Sequence, residues 1–476
     1  MAGLIGDLLS SSDALTRHSA SLNVIGDNIA NVNNSDYSRK TVATESYSGP
    51  GGAVYTKSSV VSSRDSIADR QVIEETSDAG AFEAKKTLYS NLNNVMSESL
   101  NGSLGTSLSE AQAEGTGITG GLTTFFNNWS SYAASPNASA SQGELYTNAQ
   151  DLASRFNAAN KALDDAQGSL NDSLDSNISK ANALLSKIAT LNSEIVSMEA
   201  RESGSASDLA DTRQAAMEDL AKIVNFSSTT EDNGSVTLTL PSSTGGTGQT
   251  LVSGGNAATF AATKNSDGDY TGITSTFKGS TSSISPTGGT LSVLNPTVTT
   301  AAIKDARDKL DAVAKQLISS TNAIYGKSSS DGKATFFTGT GAGDIALSSD
   351  VAKASDIKAG YASSVDGSND LANDMASLLK QSFSKSSGDS VDGTLTSSVA
   401  GIATDIASKL NEATDASSQQ NEMLSLVTTN RNNISGASTD EEMSNLIVTQ
   451  HAYQASARIL STVNTLLDLV TTRLGA

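Results

Sequence analysis

The sequence predicts a mainly α chain: long terminal helices forming a coiled-coil-like domain, a helical-bundle middle domain, and a small β-rich insertion. Three observations predict it. Apolar residues at both ends of the chain recur in alternating steps of four and three. The same rhythm returns in three internal stretches. Between two of those, residues 236–240 alternate in steps of two among glycine-rich turns.

At the N-terminus, Leu4, Leu8, Ser11, Leu15, His18, Leu22, Ile25 and Ile29 fall on one narrow helical stripe, as in a coiled-coil seam. The stretch SLNVIGDNIANVNNSDYSRK then gathers Asn23, Asn28, Asn31, Asn33 and Asn34. Asn and Asp compete for backbone hydrogen bonds and tolerate left-handed backbone. The helix is therefore expected to end near Ala30, with Asn31 to Asp36 as its exit turn. Segments 45–60 and 383–394 are Ser/Gly-rich and read as loops.

In the middle, Leu152, Phe156, Ala159, Leu163, Ala166 and Leu170 keep the three-four rhythm. Leu174, Ile178, Ala181, Leu185, Ile188, Ile195 and Met198 extend it into one helix on the order of 70 Å long. Ile303, Ala306, Leu310, Val313, Leu317 and Ile324 repeat the pattern, as do Val399, Ile402, Ile406 and Leu410. Val236, Leu238 and Leu240 have the strand period. Asn233-Gly234, Gly245-Gly246, Gly254-Gly255 and Asp267-Gly268 punctuate that region as turns. Residues 325–370 are mixed, with Asp331-Gly332 read as a hairpin turn.

At the C-terminus, Thr439 to Glu442 reads as a capping box, with Thr439 and Glu442 exchanging hydrogen bonds. The seam that follows is Leu446, Gln450, Tyr453, Ala457, Leu460, Asn464, Leu467, Thr471 and Leu474. A second row, Ile459, Val463, Leu466 and Val470, widens the face of a helix roughly 50 Å long. Two such terminal helices can pair with each other, with neighbouring copies, or both. The domains expected are residues 1–45 with 436–476, residues 46–230 with 297–435, and residues 231–296 as the insertion.

Composition narrows the function. The 476 residues carry a formal net charge of −20, which repels nucleic acid and anionic membranes, so neither is expected as a partner. There is no Cys, so disulfides and thiolate metal sites are excluded. Aromatic residues are only 4%, so the core is expected to rely on Leu, Ile, Val and Ala. No apolar run is long enough to span a bilayer. The first positive side chain is Arg17, so no cleavable secretory signal is expected.

No residue set suggests catalysis. His18 and His451 lie in or beside helix seams, without the flanking carboxylates a metal would need. The run Gly339 to Gly343 lacks the spacing of a phosphate-binding loop. Asn265, Asp267 and Asp269 put Gly and Glu at the wrong positions for a calcium loop and read as a hairpin turn. The pairs Asp164-Asp165 and Glu441-Glu442 are adjacent on helices and do not share a face. No catalytic, metal or cofactor residue is assigned.

The two termini carry a resemblance. Ile25, Gly26, Asn28, Ile29, Ala30, Asn31 and Asn33 match the Ile-Gly-x-Asn-Ile-Ala-Asn-x-Asn stretch of bacterial flagellar axial proteins, the rod, hook and hook-associated proteins. That family continues Thr-Pro-Gly-Tyr. Here Asn34-Ser35-Asp36 precedes the retained Tyr37, with Asp36 expected in a left-handed conformation. The C-terminal stretch from Ser435 to Arg458 resembles the hook-associated protein 1 branch, as do LTTFFNNWSSYAASPNASA and DLADTRQAAMEDLAKIVNF inside the chain.

The resemblance implies a structural protein of the hook–filament junction, not an enzyme, assembled through its terminal helices. It implies an inner tube of paired termini, a helical shell and an outward β insertion. The assembly residues it points to are Leu4, Leu8, Leu15, Leu22, Ile25, Asn28, Ile29, Asn31, Asn33 and Tyr37 at one end. At the other they are Leu446, Gln450, Tyr453, Ala457, Leu460, Val463, Leu467 and Leu474. Implied partners are further copies of the chain in a ring-like or helical layer, the hook protein, a neighbouring hook-associated protein, and an export chaperone on the C-terminal helix. The implied location is extracellular, on the flagellum. Another axial component, a hook or distal-rod protein, is the alternative within the class. A chemoreceptor-like helical rod would lack the Asn-rich exit turn, and a peptidoglycan hydrolase would need a carboxylate in a cleft.

Overall fold

The computed structural model describes residues 2–48, 54–102, 116–201, 204–242, 248–365 and 367–474. The N-terminal helix α1 (Ala2–Ala30) ends where the asparagines begin. The chain then forms a hairpin, β1 (Lys40–Ser48) and β2 (Val54–Ser62), with Lys40 opposite Ser62. This corrects the loop expected over 45–60. Ser and Thr make up four of the nine residues in each strand, and this composition hides a ladder that backbone hydrogen bonds and packing on α1 sustain.

Helix α2 (Ser66–Asn101) opens on a cap: the Asp65 carboxylate accepts from the amides of Ile67 (2.8 Å) and Ala68 (3.2 Å). After α3 (Gly117–Ala134) comes α4 (Ser139–Glu199), whose 61 residues give a length of roughly 90 Å. The helix foreseen from residue 152 thus starts a further thirteen residues earlier. Helix α5 (Ser207–Ala221) follows.

The insertion is two antiparallel sheets. One contains β3 (Ser227–Thr230), β4 (Val236–Leu240), β5 (Gln249–Ser253) and β6 (Asn256–Ala257); the other contains β7 (Thr259–Lys264), β8 (Tyr270–Phe277) and β9 (Ser280–Ile284). Asn265 to Asp269 is the β7–β8 turn, with Gly268 at φ 91°. The turn expected at Gly245-Gly246 lies outside the described residues.

Helices α6 (Thr290–Leu294) and α7 (Pro296–Tyr325) return the chain to the bundle. A small hairpin, β10 (Phe337–Thr338) and β11 (Ala346–Leu347), encloses the glycine run Gly339 to Gly343. Asp331-Gly332 makes a turn before it and not the hairpin turn itself. After α8 (Asp370–Ser377), helix α9 (Leu395–Ser435) runs antiparallel along α2, and α10 (Thr439–Leu474) closes the chain.

The long α4 is the spine of the body. It touches α2, α3, α5, α7 and the β insertion. Aliphatic residues fill most of the core. Seven of the aromatics, Phe125, Phe126, Trp129, Tyr132, Tyr325, Phe336 and Phe337, are buried in one cluster. Phe336 and Phe337 meet edge to face at 4.9 Å, and Trp129 meets Phe336 at 5.4 Å.

Helix asparagines dock strands onto this body by one repeated device. A side-chain amide donates to a strand carbonyl and accepts a strand amide. Asn182 does so with Phe260 (2.9 and 2.7 Å), Asn192 with Val236 (2.8 and 3.0 Å), and Asn322 with Phe337 (2.8 and 3.0 Å). Each mimics a ladder rung where no strand is present, which satisfies an otherwise orphaned backbone pair.

Candidate assembly interface

The terminal helices α1 and α10 pack on each other within one chain. They run antiparallel, since α1 ends and α10 begins at the same junction. On α1 the expected stripe holds. Ile25 and Ser11 are buried, and Leu8, Leu15, His18, Leu22 and Ile29 are half-buried. On α10 the covered row is Glu442, Leu446, Thr449, Tyr453, Ser456, Leu460, Val463, Leu467 and Val470, again in steps of four and three.

This shifts every second position of the expected seam by one. Gln450 and Asn464 are exposed, and Val463, placed in the second row, is the buried residue. The physical reason is Glu442. It is buried by Arg39 at the start of the helix and fixes the rotation of the turns that follow. Ala457 stays half-buried beside Ser456. The side chains of Leu4 and Leu474 lie outside the described residues.

The opposite face of α10 carries Met443, Ile447, Val448, Ile459, Leu466 and Leu469, each 44% exposed or more. These large apolar side chains lie open on a helix whose other face is already paired with α1. On α1, Leu9 is likewise open, at 65% exposed.

The exit turn repeats the asparagine device. Asn28, 1% exposed, donates from Nδ2 to the Lys40 carbonyl at 2.9 Å. Its Oδ1 accepts from the Lys40 amide at 2.9 Å and from the Tyr37 hydroxyl at 2.8 Å. Asn31 donates to the Asp27 carbonyl at 2.9 Å, and Asn34 accepts the Asp36 amide at 3.1 Å. Asn33 is exposed. Asp36 is not left-handed; among the described residues Lys278 alone has positive φ outside glycine. Asn34's side chain closes the turn, so no left-handed residue is needed. Burial first, then the charges of Asp27 and Asp211, hold the Tyr37 hydroxyl well above the ordinary tyrosine range, so it stays a donor to Asn28.

Around this turn lies a cluster of charges that the sequence did not reveal. Arg39 pairs with Glu442 at 2.7 Å and Glu441 at 3.3 Å. Lys40 bonds Asp208 and lies 3.9 Å from Asp211. Arg64 bridges Asp69 (3.1 Å) and Asp211 (2.7 Å), and Arg431 pairs with Glu218 at 2.5 Å. Burial raises the Asp69 carboxyl against the opposing pull of Arg64, and raises Glu218 against Arg431. Burial, with Arg64 nearby, brings Arg213 down to about 10. The capping box expected at Thr439 does not form. Thr439 is already helical, and the Glu442 amide donates to the Ser438 carbonyl at 2.9 Å while its side chain serves Arg39. Among the described residues no group of His, Asp or Glu is placed to hold a metal ion.

Comparison with known proteins gives these termini a context. The family model for the flagellar hook-associated protein FlgK helical domain matches residues 106–334, which span α3 to the end of α7. The model for the flagellar basal body rod FlgEFG protein C-terminal region matches residues 428–473. Flagellar hook-associated protein 1 of Bacillus subtilis (strain 168) is 24% identical, over 97% of this chain and 97% of its own. The chain belongs to the flagellar hook-associated protein 1 family.

Flagellar hook-associated protein 1 of Salmonella typhimurium is 26% identical over 56% of this chain and 45% of its own length. The solved flagellar hook junction protein FlgK from Burkholderia pseudomallei is 22% identical with a TM-score of 0.44, over 54% of this chain and 44% of that one. As a hook-associated protein 1 family member, the chain is a structural component of the flagellum at the hook–filament junction. Within this family member, the charged residues at the junction were missed because their partners lie far apart in sequence. Arg39 and Glu442 are 403 positions apart. Only the conjunction of Arg39 with the acidic Asp440-Glu441-Glu442 start of α10 hinted at them.

Proposed function

We propose that the chain builds a layer of the hook–filament junction by packing the outer face of its terminal helix pair against neighbouring copies. The observation that carries this is the division of α10 into two faces. One is covered by α1, and the other is apolar and open, with Ile447 53% and Val448 64% exposed. A heterologous contact that propagates around a ring or helix needs such a surface outside the intrachain pair. Residues 1–45 and 436–476 form the assembly domain in this reading. Residues 46–230 and 297–435 form the helical body, and 231–296 the outward insertion. The protein acts by binding and not by catalysis. Its neighbours are the hook protein on one side and another hook-associated protein on the other. It works at the cell exterior, with a chaperone covering the C-terminal helix before export.

Two substitutions test the division of faces. Ile447→Asp, on the open face, is expected to leave far-UV circular dichroism of the purified chain unchanged and to abolish its incorporation into flagella, scored by immunolabelling. Val463→Asp, 7% exposed in the seam, is expected to lower the helical signal itself. Normal incorporation of Ile447→Asp would refute the proposal.

A further inference from the structure

One buried cation in the body has no acid to pair with. Arg213 on α5 is 8% exposed, and among the described residues its guanidinium bonds no carboxylate. Its Nη1 donates to Asn192 Oδ1 on α4 and to the Gly234 carbonyl, both at 2.8 Å. A buried charge is costly unless its hydrogen bonds are made, so these two contacts hold it in place.

Both contacts serve one turn. Between β3 and β4 the Glu231 amide donates to the Ser235 carbonyl, and the Gly234 amide to the Glu231 carbonyl, each at 2.9 Å. Gly234 has φ 82°, so the loop is a type I turn closed by a left-handed glycine. Asn233 is exposed, and its Oδ1 accepts from the Ser235 amide at 3.0 Å and from Ser235 Oγ at 2.7 Å. Asn192 holds the strand that follows by the Val236 amide and carbonyl.

Asn233-Gly234 is one of two Asn-Gly pairs in the chain. Glycine has no Cβ to shield its backbone nitrogen. Once its proton passes to hydroxide, that nitrogen can attack Cγ of the preceding asparagine. A new C–N bond closes a five-membered imide, and the bond to Nδ2 breaks, releasing ammonia. Water then opens the imide at either carbonyl. The product is aspartate or, with the backbone rerouted through Cβ, isoaspartate. Water is the only co-reactant consumed.

The folded turn opposes the first step. The Gly234 nitrogen is engaged with the Glu231 carbonyl, and its peptide plane must rotate to bring it behind Cγ of Asn233. Rotation breaks that bond and draws the Gly234 carbonyl away from Arg213, leaving a buried guanidinium with one bond fewer.

We propose that Asn233-Gly234 is a deamidation site that Arg213 and Asn192 hold closed in the folded chain, and that it reacts when the hairpin leaves α4 and α5. The reaction is one-way. Isoaspartate lengthens the backbone by a carbon inside a loop whose register the Glu231–Ser235 pair fixes, so each release that reacts leaves a permanent record. The site is independent of the surfaces that meet neighbouring copies.

The test incubates the full chain in mildly alkaline buffer, folded and in urea. Deamidation is read by mass spectrometry of the tryptic peptide from Ile223 to Lys264, with isoaspartate scored by enzymatic methylation. Asn101-Gly102 is the reference pair, and in urea the two pairs are expected to react at similar rates. In the folded chain Asn233 is expected to react at least about tenfold more slowly than in urea. Arg213→Met, and Asn192→Ala as a second variant that keeps the guanidinium, are expected to raise the folded rate about fivefold or more, with folding checked by circular dichroism. Asn182→Ala frees Phe260 elsewhere in the insertion and is expected to leave the rate slow. A folded native chain that deamidates at Asn233 as fast as it does in urea would overturn the proposal. So would slow reaction in both folded variants, or an acceleration by Asn182→Ala equal to that by Arg213→Met. If neither variant folds, the ratio of folded to urea rates in the native chain decides alone.

Discussion

Replacing Asn28 by alanine isolates the device that ends α1. The native side chain satisfies three groups: the Lys40 amide, the Lys40 carbonyl and the Tyr37 hydroxyl, at 2.9, 2.9 and 2.8 Å. Lys40 is 6% exposed, so its two backbone groups have no water to turn to, whereas half-buried Tyr37 can resolvate. Leaving a buried donor or acceptor unpaired costs about 1–3 kcal/mol each, so Asn28→Ala is expected to destabilise the exit turn by about 2–5 kcal/mol. Trp129 sits in the body and would not report this, so a local probe is needed. The Lys40 amide is that probe. At 1.4 kcal/mol per factor of ten, its hydrogen-exchange protection should fall at least ~30-fold, with amides of α4 unchanged. Asn182→Ala serves as the control, since it should expose the Phe260 amide and leave Lys40 protected. Protection of Lys40 within about threefold of the native value in Asn28→Ala would refute the reasoning, because the side chain would then not be what holds strand to helix.

Two further outcomes follow from the body. Lys309 and Lys409 each bridge Asp305 and Asp405, at 2.9 and 2.7 Å and at 2.8 and 2.9 Å, in a closed ring between α7 and α9. All four are a third or more exposed, so Lys409→Met is expected to lower stability by only about 0.5–1 kcal/mol, most at low salt. Its pH dependence has a fixed sign. Burial opposes, but the two lysines hold the Asp305 carboxyl below its ordinary range, and the Lys309 hydrogen bond does the same for Asp405. The ring's contribution is therefore complete above the unfolded carboxylate range and lost as pH falls through the folded-state values. Thermal melts of native and Lys409→Met chains should converge in acid. Separately, a Cβ at Gly80 would overlap the Lys222 carbonyl oxygen, a backbone atom that cannot easily move aside. Gly80→Ala should then depress the melting temperature, whereas Gly143→Ala, open in α4, should leave it level or raise it.

The parts of the fold that were legible are those where burial and periodicity coincide. Leu152 to Met198 announces α4 because nearly every third or fourth residue there is Leu, Ile, Ala or Phe. Helix α2 was not legible. Its first half buries Ala68, Asp69, Thr76, Ser77 and Ala79, small or polar residues that break the apolar period, which is regular only in the second half, at Leu88, Leu92, Met96 and Leu100. The β1–β2 hairpin was hidden for the same reason, its strands being rich in Ser and Thr. On α10 the period was read correctly and its phase was not. Leu446, Tyr453, Leu460 and Leu467 are common to both rows, and the choice between Gln450 and Thr449 is made by a salt bridge from Arg39 that no local pattern contains. The Asn-rich motif was legible as a helix end. That Asn28 works as a ladder rung for β1 emerges only beside Asn182, Asn192 and Asn322.

The central claim is that this chain joins hook to filament, and electron microscopy of cells lacking it tests that most directly. The account predicts hooks that end without filaments, with unpolymerised flagellin in the medium, and filaments restored when the native chain is supplied. Filaments of normal length and number on cells lacking the chain would contradict it.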